Sequence, residues 1–130
     1  MWPGPEELPN GFHDARLLEL RVDFVRAEVR LAIRFVIGVP EADTEDAREA
    51  MRPGTVTLTG VSSMRIEPPD SRNTYTFSHR NGVMVDGDFG PYPGDPVPPD
   101  DGLVRLWFFV STWNARMTFT AKSCELAWTG

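Results

Sequence analysis

Between residues 17 and 37 apolar and charged side chains alternate almost without a break. Leu18, Leu20, Val22 and Phe24 are interleaved with Glu19, Arg21 and Asp23, and Val29, Leu31, Ile33, Phe35 and Ile37 with Arg30, Ala32 and Arg34. A period of two over this length specifies two half-buried strands, each with an apolar and a charged face, and their closeness in sequence predicts a hairpin. Opposite charges facing each other across a pair of strands contribute roughly 0.2–1 kcal/mol, and like charges cost energy. Pairing Asp23 with Arg30 and Glu19 with Arg34 satisfies this rule. It sets Val22 against Leu31, Leu20 against Ile33 and Leu18 against Phe35, with residues 25–28 as the turn. The turn lacks the Asn-Gly or Asp-Gly pair that would fix it, so a slip of two residues stays open.

Residues 1–10 hold three prolines and a glycine and read as an extended arm, with Trp2 able to pin it to the body. Residues 40–53 combine early acids, helix-forming alanines and late arginines before Pro53-Gly54, the pattern of one short helix. Alternation returns through Val56 and Leu58, breaks at residues 60–63 and resumes with Met64 and Ile66, which predicts a bulge or bend at Gly60. Residues 75–79 and 83–89 flank Asn81-Gly82, the strongest hairpin turn signal in the chain. That turn would place Tyr75, Phe77, His79, Met84, Asp86 and Asp88 on one face.

A proline-rich loop occupies residues 90–102 and is long enough to act as a cover. The strand after it carries Leu106, Phe108 and Val110 on one side and Trp107 and Phe109 on the other. A Trp113-Asn114 turn would pair Val110 with Met117, Phe108 with Phe119 and Leu106 with Ala121. The short helix, the loop, a second copy or a partner must then shield Trp107 and Phe109, or they form an interaction patch. Residues 124–128 read as a closing edge strand. The expected architecture is mainly β, a single antiparallel β-sandwich or partly open barrel of seven or eight strands with one short helix. It fills one domain over residues 1–130.

The net charge of −6 disfavours nucleic acid, which needs clustered Lys and Arg, and favours a basic protein or cationic ligand. Modest acidity also serves solubility alone. A lone Cys124 allows no internal disulfide, no apolar run is long enough for a membrane-spanning helix, and the opening residues lack the pattern of a secretory signal. A cytoplasmic protein is expected.

Two stretches bear on chemistry. In His13-Asp14 the carboxylate could orient the imidazole as a general base, or the pair could close the loop that leads the chain into the sheet. His79 with Asp86 and Asp88 has donors suited to zinc or manganese, but no recognisable ligand spacing, so no metal is expected. Cys124 lacks a neighbouring base and reads as inert. Phosphate loops and nucleophile elbows are absent, so neither catalytic residues nor a cofactor are assigned.

The run Asn10-Gly11-Phe12-His13-Asp14-Ala15 before the first strand resembles the opening of a group of small bacterial proteins. They include immunity proteins of polymorphic toxin systems, which begin with Phe-His-Asp-Ala. Trp2 ahead of the motif and the closing strand toward Trp128 are of the same kind. The resemblance implies a small, mostly β protein that binds and neutralises a partner, without catalytic residues. The leading expectation is therefore a non-enzymatic protein-binding module of immunity or regulatory type. Two others stand beside it: a ligand pocket or enzyme site under the proline-rich loop, using Tyr75, His79 and Asp86, and a homodimer joined through Trp107 and Phe109.

Overall fold

The computed structural model describes residues 8, 10–39, 41–74 and 80–130. Among these residues eight antiparallel strands form one sheet: β1 (Ala15–Asp23), β2 (Glu28–Val36), β3 (Met51–Thr59), β4 (Ser63–Ile66), β5 (Val83–Phe89), β6 (Val104–Val110), β7 (Ala115–Ala121) and β8 (Ser123–Trp128). Their order is β4-β7-β6-β5-β1-β2-β3-β8, and the sheet is not closed into a barrel. The chain bends between β3 and β4 at Gly60, and between β7 and β8 at Lys122. Thr59 pairs with Ser123 on one side of the bend and Ser63 with Thr120 on the other. Two long bent strands thus carry the sheet around a corner, as the break in alternation at residues 60–63 predicts. Leu31, Ile33 and Val56 from one half then share a single core with Phe108 and Phe119 from the other.

The first hairpin keeps its predicted partners but not its predicted register. Asp23 faces Glu28, Val22 faces Val29 and Leu20 faces Leu31, a slip of two residues that leaves residues 24–27 as the turn. Turn chemistry overrides charge pairing here. Asp23 Oδ1 accepts from the amides of Val25 and Arg26, both at 3.0 Å, an Asx-type closure that requires Asp23 to sit just before the turn. Arg21 consequently lies opposite Arg30, and each is answered from its own strand, by Glu19 at 3.1 Å and Glu28 at 2.8 Å.

A bulge at Leu18 supplies a second correction. Ala15 and Leu17 enter the core, whereas Leu18 is exposed. Phe24, expected on the core face, is 84% exposed at the hairpin tip.

The β6–β7 hairpin slips in the same way, setting Phe108 against Met117 and Leu106 against Phe119. Asn114, in the left-handed region at φ 49°, closes a four-residue turn instead of a two-residue one. A short polar side chain tolerates that conformation, and Asn114 Nδ2 donates to Asp70. Since this slip is by two, the side chains of β6 and β7 keep their faces, and Leu106, Phe108 and Val110 remain buried.

Residues 40–53 diverge more from the expectation. The helix α1 covers only Glu45–Arg48, with the Thr44 side chain accepting from Ala47 N at 3.1 Å. Met51, Arg52 and Pro53 already belong to β3, opposite Val36, Phe35 and Arg34. Pro53-Gly54 is therefore not a helix stop. Gly54 is where β8 crosses closely, since a Cβ there would lie 2.9 Å from Leu126 and 3.2 Å from Trp128. The pairing of β5 with residues 75–79, and the arm with Trp2, lie outside the described residues.

One side chain joins the two halves. Phe12, 2% exposed, sets its ring 5.6 Å from that of Phe35 on β2, 5.9 Å from Phe89 on β5 and 5.0 Å from Phe108 on β6. Its loop is built for the purpose. Gly11 and Asp14 adopt φ of 54° and 55°, and the amides of Gly11, His13 and Ala15 donate to the carbonyls of Leu8, Asn10 and Phe12. Asn10 Nδ2 ties the loop to the end of β2 through the carbonyls of Val36 and Gly38, at 3.0 and 2.8 Å. Replacing Phe12 with Ala should destabilise the fold by about 3–5 kcal/mol in urea unfolding, while His13→Ala, at a solvent-facing position, should stay within about 0.5 kcal/mol. Equal effects of the two would show that the motif does not work through its ring.

Candidate functional site

The same loop that buries Phe12 turns its neighbours outward. His13 and Asp14 both face solvent before β1, and β5 brings Asp86 to them because Ala15 pairs with Val85. His13 Nε2 lies 3.4 Å from Asp14 Oδ2 and Nδ1 lies 3.5 Å from Asp86 Oδ1, with the imidazole 67% exposed. Each ring nitrogen thus faces a carboxylate oxygen, at distances longer than those of a strong hydrogen bond. Asp88 lies two residues further along the outer face of β5, where its Oδ1 accepts from Phe89 N at 2.7 Å. No group of three or more His, Cys, Asp or Glu among the described residues is arranged to hold a metal ion. Tyr75 and His79 lie outside the described residues.

Trp107 and Phe109 are both half-buried on the outer face of β6. Of the possible covers for Trp107, the proline-rich loop supplies one. Tyr92 meets the Trp107 ring edge-on at 5.2 Å, and the Arg116 guanidinium lies 4.5 Å from the centre of the Tyr92 ring. Arg116 is held in turn by Asp95 at 3.2 Å and Glu67 at 3.5 Å. At the far end of the loop Asp101 clasps Arg105 through two bonds of 3.0 and 2.7 Å. Between loop and strands remains a cleft of about 250 Å³ bordered by Tyr92, Asp95, Pro96, Arg105, Thr118 and Thr120. Asp86, expected in such a pocket, is not on its wall.

A larger cleft, about 310 Å³, lies beside the turn of the first hairpin. Val22, Phe24, Ala27, Val29, Val61 and Met64 line it together with the polar Asp23, Glu28, Ser62 and Ser63. Val61 N donates to Ala27 O at 2.8 Å, fixing the hairpin tip against the β3–β4 bend. Phe24 and Val25 project here at 84% and 97% exposure. Periodicity concealed them, since an apolar residue at the end of an alternating run looks like core until the turn is located. The one available signal was Asp23, the natural opener of an Asx-type turn.

No protein-family model, curated protein or solved structure matches the chain.

Hydrogen bonds from Arg105 and from Leu103 N hold the Asp101 carboxyl below the usual 3.8, at about 2. A carboxyl whose value is lower folded than unfolded adds stability that is complete above about pH 4 and vanishes as pH falls through about 2. NMR titration of Asp101 should give that low value, and Arg105→Gln should return it toward 3.8. An unchanged value in the variant would remove Arg105 as the cause. Burial pushes the half-buried Cys124 thiol up to about 11. Native protein at pH 7.5 should therefore react with iodoacetamide far more slowly than denatured protein, as mass spectrometry would record.

Proposed function

We propose that the chain is a non-enzymatic protein-binding module, of the regulatory or immunity kind suggested by its Phe-His-Asp-Ala opening, which docks through the tip of the β1–β2 hairpin. The observation that carries this reading is the exposed pair Phe24 and Val25, of which Phe24 borders a largely apolar cleft. Adjacent apolar side chains held out by a rigid turn serve as anchors for a partner's surface, and a cleft beside them can receive an apolar group in return. The partner is a protein with an apolar recess of its own. A basic partner and a cytoplasmic setting accompany the reading, the first because a net charge of −6 attracts opposite charge at long range.

Support for a small-ligand site is weaker. The cleft under the proline-rich loop, about 250 Å³, is smaller than the ~300–1,000 Å³ usual for ligand sites. Its Arg105 and Asp95 already pair with Asp101 and Arg116. A homodimer through Trp107 has less to recommend it once Tyr92 lies against that ring.

Tagged wild-type protein and the double variant F24S/V25S, incubated with lysate of the source cells at low and high salt, test the proposal. The variant should keep its thermal stability within about 0.5 kcal/mol, since both side chains are solvent-exposed. One stoichiometric partner should be retained by the wild type and bind the variant at least about tenfold more weakly. Identical retention by both proteins would refute docking through the tip.

A further inference from the structure

The hairpin holds five arginines against three acids over residues 15–36, in a chain whose net charge is −6. Three of the five have ion-pair partners within the hairpin: Arg21 with Glu19, Arg26 with Asp23 and Arg30 with Glu28. Arg16 and Arg34 form no ion pair among the described residues, and they stand directly opposite each other on β1 and β2. Side chains so paired share a face, with Cβ atoms roughly 4.5–5.5 Å apart.

The acids that might serve them are engaged elsewhere. Two positions before Arg16 stands Asp14, turned into the left-handed region and facing His13. Glu19 belongs to Arg21. Two positions before Arg34 stands Ala32, where Arg30 has Glu28 in the equivalent place. Along the row across the sheet, Arg16 pairs with Met84 on β5 and Arg34 with Pro53 on β3, neither of which is an acid, and Asp86, the next outward residue of β5, faces His13. Both arginines are half-buried. Their stems are therefore partly ordered, while among the described residues no carboxylate pairs with their guanidinium forks.

We propose that Arg16 and Arg34 form a binding site for a single carboxylate, carried by a small organic acid or by an acidic side chain of a peptide. Two guanidinium groups on one face can both donate to one carboxylate, and a planar fork matches that group better than an ammonium would. A singly charged group suits the site better than a polyanion, which Glu19, Asp23 and Glu28 on the same hairpin would repel. The site does not depend on what the hairpin tip docks.

Acetate, a blocked peptide containing one glutamate, and inorganic phosphate serve as probes, each titrated at constant ionic strength while the arginine Nε–Hε NMR signals are followed. Acetate or the peptide should move the Arg16 and Arg34 signals together and saturably, and phosphate should bind more weakly. A response to acetate as strong as to the peptide marks free organic acids as sufficient, whereas a stronger response to the peptide marks a protein-borne carboxylate. R16Q and R34Q should each weaken binding about tenfold, and Lys122→Gln should leave it unchanged. Without ligand, R16Q and R34Q should melt at or above the wild-type temperature, because each removes a like-charged neighbour. Lowered melting temperatures in both would instead assign the arginines a structural role and overturn the proposal. So would phosphate binding as tightly as carboxylate, or a uniform drift of all arginine signals.

Discussion

The structure depends on a single ring being held between two halves of a bent sheet. Phe12 is not part of a strand, yet it touches aromatic rings on β2, β5 and β6. A sheet that bends around a core leaves a gap at the end where its strands diverge, and an unfilled gap of aromatic size costs several kcal/mol. The residues around Phe12 can be understood from that need. Gly11 and Asp14 accept left-handed backbone so that the loop can reverse, and Asn10 anchors it to the carbonyls at the end of β2. The exposed pair His13-Asp14 follows from the geometry that buries its neighbour.

Both clear hairpins settle their register by the turn. Asp23 and Asn114 each contribute a side chain that closes a four-residue turn or tolerates its unusual backbone. The hydrophobic pattern is indifferent to a slip of two, because inward residues stay inward. Local polar geometry therefore decides the register, and surface charges are left to adapt. Arg21 and Arg30 adapt by turning to acids on their own strands. Arg16 and Arg34 find no such neighbour, and the carboxylate site proposed here originates in that difference.

The outer surface has two contrasting regions. Around β6 and β7 the proline-rich loop lies across the sheet, holding Tyr92 on Trp107 with Arg116 above it and fastened by Asp95 and Asp101. That region is furnished by the chain's own residues. At the far end of the first hairpin, Phe24 and Val25 stand clear of the body beside an apolar cleft. A binding function is better placed at this end, where apolar surface remains uncovered.

Alternation by itself determined which side chains of β2, β6 and β7 face the core, because the pleat ties face to sequence parity whatever the pairing. It also determined the mainly β class, the bend at Gly60 and the closing strand at Trp128. Parity carries no information on even shifts, so the registers were decided by Asp23 and Asn114 in their turns. A bulge breaks parity outright, and the one at Leu18 moved Leu17 into the core, whereas Phe24 stands at the tip because the turn opens after Asp23. Of the candidate site, the proximity of His13 to Asp14 was legible because they are neighbours in the chain. Asp86 beside them, Tyr92 on Trp107 and Arg16 opposite Arg34 required the tertiary structure, since each joins residues whose separation in sequence says nothing about their distance in space.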